Sequence, residues 1–206
     1  MKSVLFDLGG AIDLEFAWEM AVDGAIASAC GMEGVRVDQA MVDQASEQAV
    51  AAFAPDVTRH MIETLCGGEP VTMARVRQRV EAMTGKLDAF QLRPEIEGLL
   101  QRLRARGLKL GVVDPRWDRL EHAGIAQLFE RDFDEPPQSC IFVGDRLDRD
   151  IAPAKARGMA TVQFRSGRYR RQRPRNAMET PDAVVTDVRE LEAAILALLG
   201  CRGPHE

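Results

Sequence analysis

The sequence predicts an α/β protein in which helices flank a parallel sheet, with a helical segment inserted after the first strand. Short apolar runs alternate with helical segments over residues 93–199, and this alternation is typical of parallel strands joined by right-handed crossovers. Residues 14–92 fall outside the alternation because their pattern is helical and rich in Ala and Met. We therefore predict a Rossmann-like core over residues 1–13 and 93–206 and a small helical domain over residues 14–92.

The first strand is predicted over residues 3–7, where the apolar run SVLFD ends on an acid and is followed by Gly9-Gly10. After the insertion, Pro94 opens a helix that ends at Gly107, because proline favours the first helical position and glycine the position after the last turn. Further strands are predicted at residues 108–114, 140–145, 159–164 and 183–186, and further helices at residues 116–123, 149–157 and 187–199.

The inserted segment is predicted to form three or four helices between residues 14 and 83. Glycine and proline residues interrupt its helical pattern at several points, and such residues end helices. We expect this block to fold as a lid beside the sheet.

The composition excludes several functional classes. The 206-residue chain has 46% hydrophobic residues and a net charge of −5, so no overall basic field would attract nucleic acid or an anionic membrane. The four cysteines are scattered without a CxxC pair, which predicts reduced thiols rather than a zinc site or a disulfide framework. The first apolar run is too short for a signal peptide, and no run is long enough to span a membrane. We therefore expect a cytoplasmic protein.

Three of the predicted strands end on an acid, at Asp7, Asp114 and Asp145. Ligands of open parallel sheets bind beyond the carboxyl ends of the strands, and Asp148 and Asp150 follow the third strand closely. Several carboxylates at one place repel one another unless a hard cation joins them, which predicts a Mg²⁺ site. Each aspartate alone is better explained as a helix cap, but three strand-end acids together favour a site.

Three segments resemble motifs of the haloacid dehalogenase (HAD) superfamily, namely VLFDLGGAID, LKLGVVD and FVGDRLDRDIAPAKARGM. They occur in the family's order, and the helical insertion resembles the family's cap. The resemblance implies a HAD-like core. Only about thirty residues separate Asp114 from Asp145, which leaves room for one helix and predicts that the core lacks an edge strand.

The resemblance also implies roles for individual residues. Asp7 would be the nucleophile that forms an aspartyl-phosphate or an aspartyl ester, and Asp114 is the second candidate catalytic residue. The implied Mg²⁺ ligands are Asp7, the carbonyl oxygen of Gly9, Asp145 and Asp150. The candidate phosphate- and substrate-binding residues are Gly10, Arg116 and Arg146.

The chain departs from the family pattern at three points. Phosphatases of the family carry a general acid two residues after the nucleophile, where this chain has Gly9, and its loss costs about 10²–10⁴ in rate unless Asp13 replaces it. Asp114 stands where the family has Ser or Thr, and like charges about 4 Å apart cost roughly 4 kcal/mol at an effective dielectric of 20. No lysine lies between Val112 and Ala154, and we interpret Lys155 as a surface or packing residue.

The segment RSGRYRRQRPR, residues 165–175, contains six arginines and one tyrosine; we call it the arginine loop. It could bind a polyanion or an acidic partner through bidentate contacts. Alternatively, it is a solvated, partly disordered loop whose charge the acidic remainder balances.

The sequence therefore predicts a HAD-like hydrolase with weak or altered activity towards a small organic phosphate. The first alternative is a catalytically degenerate binding or regulatory module that dimerises through the helical insertion and uses the arginine loop. The second is a dehalogenase-like hydrolase in which Asp7 attacks carbon. The expected partners are a small-molecule phosphate or other small anion and a second copy of the chain.

Overall fold

The computed structural model describes residues 3–87, 89–113 and 116–201. The chain forms two compact units: Met1–Leu14 with Gln91–Glu206, which we call the sheet domain, and Glu15–Phe90, which we call the helical domain. Within the described ranges, no helix is long and apolar enough to cross a membrane.

The sheet domain contains five strands, which are β1 (Ser3–Phe6), β2 (Lys109–Val112), β3 (Cys140–Gly144), β4 (Ala160–Phe164) and β5 (Ala183–Val185). They form a parallel sheet with the order β2-β1-β3-β4-β5. The predicted fold class is therefore confirmed. β1 and β3 are buried along their whole length, which explains their unbroken apolar runs. Phe6 lies opposite Val112 of β2 and Val143 of β3, so these three strands end at one edge of the sheet.

β2 lies at the edge of the sheet. From residue 116 to residue 139, the chain forms one short helix and two 3₁₀ turns, at Ala126–Leu128 and Pro137–Ser139, and no strand. This agrees with the predicted loss of an edge strand, because a further parallel strand would need its own crossover.

The helices of the sheet domain are α5 (Ile96–Ala105), α6 (Trp117–His122), α7 (Ala152–Ala156) and α8 (Val188–Cys201). α5 begins two residues after Pro94, since Glu95 adopts a left-handed conformation with φ of 66°. Its buried residues Ile96, Leu99, Leu100 and Leu103 have the spacing of one helical face. The helix predicted at residues 149–157 instead starts as a π-helix, Leu147–Ile151, and continues as α7.

The helical domain consists of four helices packed around one apolar cluster, to which Ile26, Met61 and Val76 belong. The Asp38 and Asp56 side chains cap the second and third helices by accepting hydrogen bonds from backbone N–H groups. The helices are α1 (Phe16–Met32), α2 (Gln39–Ala51), α3 (Val57–Leu65) and α4 (Pro70–Thr84).

A short antiparallel contact lies where the chain leaves the sheet domain and re-enters it. The Leu14 N–H donates to the Gln91 carbonyl oxygen at 2.8 Å, and Asp13 forms a β-bridge with Leu92. The buried Asp13 carboxylate accepts from the Gln91 N–H at 3.0 Å and lies 3.6 Å from Arg119. Asp13 therefore ties the two ends of the insertion together.

Candidate active site

Three carboxylates meet where β1 and β3 end. Asp7, Asp145 and Asp150 each place a carboxylate oxygen within 4.8 Å of the other two. The Asp7 N–H donates to the Val143 carbonyl oxygen at 2.8 Å, which extends the β1–β3 ladder by one residue. Neighbouring strands lie about 4.8 Å apart, so the sheet itself brings Asp7 and Asp145 together. Asp114, the remaining predicted strand-end acid, lies outside the described residues.

Two glycines let the backbone approach these carboxylates. A Cβ on Gly10 would lie 2.7 Å from the Asp145 Cβ, and one on Gly144 would lie 2.5 Å from the Asp150 Cβ. Gly10 also has a φ of +69°, a left-handed conformation that other residues rarely adopt. The glycine at each position is therefore required by the packing of the carboxylate behind it.

Asp150 combines burial with backbone hydrogen bonds. Its Oδ2 accepts from the N–H groups of Asp145, at 3.1 Å, and Arg146, at 2.8 Å. Burial raises the pKa of Asp150 even though these hydrogen bonds favour the charged form. Three carboxylates whose oxygens lie within 4.8 Å of one another offer only hard oxygen donors, and a divalent cation would relieve their repulsion. The residues present therefore fit a hard divalent cation such as Mg²⁺.

The segment around Asp145 and Asp150 matches a known family. Residues 121–191 match the family model described as HAD-hydrolase-like. The chain is also 33% identical over 125 residues to the glyceraldehyde 3-phosphate phosphatase of Methanopyrus kandleri, across 48% of this chain and 54% of that protein. These two matches support a phosphatase-like protein of the haloacid dehalogenase superfamily. The superfamily predicted from the three motifs is thereby confirmed.

Other HAD proteins extend the similarity over most of the chain. The phosphoserine phosphatase of Thermus thermophilus is 28% identical over 166 residues, across 68% of this chain and 64% of that protein. The chain spans about half the length of the two glyceraldehyde 3-phosphate phosphatases that it matches, 54% and 43%.

Solved structures show the same fold. A predicted phosphoglycolate phosphatase from Haemophilus somnus has a TM-score of 0.66 at 20% identity, covering 97% of this chain and 98% of that one. A putative HAD-hydrolase from Bacillus subtilis bound to magnesium has a TM-score of 0.61 at 16% identity, covering 94% and 98%.

Gly9, which stands where the motif resemblance implies a general acid, is buried. Its carbonyl oxygen, a predicted metal ligand, accepts from the Ala11 N–H at 2.7 Å in a tight turn; a second lone pair remains on this oxygen, and its role as a ligand stays a prediction. Asp13, the acid considered as a replacement, uses its carboxylate to hold Gln91. Asp13 therefore holds together the two ends of the insertion. Among the described residues, it does not belong to the cluster of Asp7, Asp145 and Asp150.

The predicted phosphate-binding residues occupy three different settings. Gly10 adjoins the carboxylate cluster, whereas Arg116 is exposed before α6. The Arg146 guanidinium donates to the Asp148 carboxylate at 2.8 Å and to the Tyr169 hydroxyl at 3.0 Å, and it lies 4.7 Å from the Tyr169 ring centroid. Arg146 is thus occupied within the protein, and the phosphate-binding roles stay predictions.

Asp148 and Asp150 both follow β3, but their side chains have different partners. Burial is the largest single influence on the pKa of Asp148 and acts to raise it, but the hydrogen bond and the charge of Arg146, together with further hydrogen bonds, lower this pKa below its usual value. Asp148 therefore remains ionised as the partner of Arg146, and Asp150 is the one that joins Asp7 and Asp145.

The lysine expected in HAD motif three has no counterpart between Val112 and Ala154. The Lys155 Nζ donates to the Thr180 carbonyl oxygen at 2.6 Å and lies 3.5 Å from Asp182. These contacts match its interpretation as a packing lysine.

Sequence reasoning missed two residues that brace the site. Gln163 is fully buried in β4, and its Nε2 donates to the Asp145 carbonyl oxygen at 3.1 Å; a polar residue inside the apolar run MATVQF is the signal that could have found it. The Arg93 guanidinium donates to the carbonyl oxygen of Gly10 and to the hydroxyl of Ser166. That contact joins residues 83 positions apart, which no local pattern reveals.

The arginine loop is folded onto the loop that carries Asp145 and Asp150. Gly167–Arg171 forms a 3₁₀ helix, and the buried Gln172 accepts the Leu147 N–H at 2.8 Å through its Oε1. Arg175 pairs with Glu179. The interpretation as a partly disordered loop is therefore wrong, because Gln172 and the Tyr169–Arg146 contact anchor the segment.

Proposed function

We propose that this chain is a HAD phosphatase that hydrolyses a small organic phosphate with Asp7 as the nucleophile and Mg²⁺ as the cofactor. The observation that carries the proposal is the cluster of Asp7, Asp145 and Asp150, whose carboxylate oxygens lie within 4.8 Å of one another. The similarity to phosphatases that act on glyceraldehyde 3-phosphate and phosphoserine supports the class of substrate.

In the proposed reaction, a carboxylate oxygen of Asp7 attacks the phosphorus atom of a bound ester. The attack forms the bond from Asp7 to phosphorus and breaks the bond from phosphorus to the ester oxygen, and the leaving alkoxide takes its proton from solvent. Water then hydrolyses the aspartyl-phosphate, releases phosphate and restores the Asp7 carboxylate. Asp145 and Asp150 would hold the cation with Asp7, and bound Mg²⁺ would neutralise carboxylate and phosphate charge and orient the phosphoryl group.

We propose slow turnover because two parts of the usual machinery are absent from the sequence. Gly9 cannot protonate the leaving oxygen, and general acid catalysis contributes about 10²–10⁴ in rate. No lysine of the intervening segment offsets the charge of the nucleophile. Esters with good leaving groups, which need little protonation, should therefore react fastest.

A panel of phosphate esters, assayed with and without Mg²⁺, tests this function. Asp7→Asn should abolish Mg²⁺-dependent release of phosphate, whereas Asp132→Asn, at an exposed loop position, should keep the wild-type rate. Hydrolysis that persists in Asp7→Asn would remove Asp7 as the nucleophile.

We keep the cytoplasm as the proposed compartment. Cys30, Cys66 and Cys140 are buried free thiols, and unpaired cysteines are typical of reducing compartments.

A further inference from the structure

We propose that Arg165 forms a second anion-binding subsite, so that the substrate is a short phosphate ester carrying another anionic group, a carboxylate or a second phosphate. This inference rests on the proposed function, because the ester phosphate is taken to bind at Asp7, Asp145 and Asp150. It names the class of substrate through a residue on the arginine loop.

The position of Arg165 follows from the sheet. The ladders place Asp7 beside Gly144 and Gly144 beside Gln163, two strand spacings or about 10 Å from Asp7 to Gln163. The Arg165 N–H donates to the Val185 carbonyl oxygen at 2.8 Å, so β4 geometry continues to Arg165. Residues two apart on a strand share a face, which puts Arg165 on the face of Gln163 and beyond the same strand ends as the carboxylates.

Two hydrogen bonds link Arg165, through Gln163, to the backbone of Asp145. Its Nε donates to the Gln163 Oε1 at 3.3 Å, and the Gln163 Nε2 donates to the Asp145 carbonyl oxygen at 3.1 Å. The next residue, Ser166, is held to Gly10 through the Arg93 guanidinium. Arg165 is therefore positioned from both sides by residues that contact the site.

The free end of the Arg165 guanidinium is suited to an anion. The side chain is half-buried, and within the described ranges its Nη1 and Nη2 have no hydrogen-bond or ion-pair partner. These two nitrogens form a fork that matches a carboxylate or a phosphate. By contrast, Arg146 and Arg175 of the same region are paired with Asp148 and Glu179.

The negative charge of the carboxylate cluster gives a physical reason for a second anion-binding subsite. Three carboxylates carry about three negative charges and a divalent cation offsets two, so an incoming phosphate meets net repulsion where the family places a lysine. The binding free energy of a substrate group that lies away from the reacting phosphorus atom can compensate for this repulsion. An arginine that binds a second anionic group of the substrate would supply this binding free energy without contacting the transferred phosphoryl group.

Calorimetric titration with two non-hydrolysable phosphonates tests the subsite directly. Phosphonoacetate carries a carboxylate where 2-hydroxyethylphosphonate carries a neutral hydroxymethyl group. In the presence of Mg²⁺, the wild-type protein should bind phosphonoacetate about tenfold more tightly or better, since a hydrogen bond to a charged group is typically worth a factor of this size. Arg165→Gln should reduce the preference to less than twofold, Arg165→Lys should keep part of it, and Arg173→Gln, an exposed control on the same loop, should keep all of it.

Equal affinity for the two phosphonates in the wild-type protein, or an unchanged preference in Arg165→Gln with an unchanged melting temperature, would overturn the inference. Kinetics with phosphoglycolate and 2-hydroxyethyl phosphate separates it from the proposed function. Arg165→Gln should raise KM for phosphoglycolate about tenfold and leave kcat within about twofold. If neither ester is hydrolysed in an Asp7-dependent manner, the proposed function fails while the phosphonate titration still decides on the subsite.

Discussion

Replacing Gly10 with alanine tests whether the close approach of the backbone to Asp145 builds the carboxylate cluster. Two penalties add at this position. The left-handed φ of +69° costs a non-glycine residue about 1–2 kcal/mol, and the new Cβ would lie 2.7 Å from the Asp145 Cβ and 3.1 Å from its Oδ2. Overpacking of this kind costs about 1–3 kcal/mol more.

Gly124 is a matched control because it carries the first penalty without the second. Its φ is +70°, and an added Cβ would meet nothing within 4 Å. Gly124→Ala should lower the free energy of unfolding by about 1–2 kcal/mol, and Gly10→Ala by about 2–5 kcal/mol. The difference between the two variants isolates the contact with Asp145.

Urea unfolding gives the two free energies, and the rise of the melting temperature with added Mg²⁺ reports on the cluster. In Gly10→Ala the Asp145 carboxylate must move, so we expect a smaller Mg²⁺-induced rise than in the wild type, whereas Gly124→Ala should keep the full rise. Equal destabilisation in both variants, together with an unchanged response to Mg²⁺, would refute the reasoning.

Two further predictions concern the anchoring of the arginine loop. Gln172→Leu leaves the Leu147 N–H without its acceptor, so a urea titration should show a loss of about 1–3 kcal/mol in the free energy of unfolding. Gln78→Leu, at an exposed position, should lower this free energy much less. Similar losses in the two variants would contradict the anchoring role of Gln172. The hydrogen bond from Arg175 lowers the pKa of Glu179 below its ordinary value, so this pair stabilises the fold fully above that ordinary value and ceases to do so as the pH falls through the lowered pKa. Glu179→Gln should therefore be less stable than the wild type at pH 7 and equally stable near pH 2, and a difference that does not change with pH would disprove the ionic contribution.

Much of the fold and part of the site could be predicted because the signals are local. The runs SVLFD and CIFVGD each indicate a buried strand that ends on an acid, and the two strands are neighbours in the sheet. The convergence of Asp7 and Asp145 therefore follows from apolar patterning together with the geometry of parallel strands. The Gly9-Gly10 pair indicates a tight loop, but the reason for a glycine at position 10, the Asp145 side chain, lies 135 residues away along the chain.

Other parts of the site depend on pairings that no local pattern contains. The resemblance implies Asp150 as a metal ligand, but it does not show what either acid contacts. The π-helix at Leu147–Ile151 brings Asp150 against Gly144, and Asp148 pairs with Arg146. The hydroxyl of Tyr169 binds Arg146 across 23 positions. A residue that could form a hydrogen bond or an ion pair with several others contacts the one that the folded structure brings within reach.

The amino-acid order alone determined the α/β class, the helical insertion and the strand-end positions of the acids, because hydrophobic periodicity and turn residues act over a few neighbouring positions. Only the tertiary structure decided which arginine is already paired and that Gln163 links Asp145 to Arg165. Those outcomes are set by distances between side chains that are remote along the chain, and such distances exist only once the sheet and its loops have assembled.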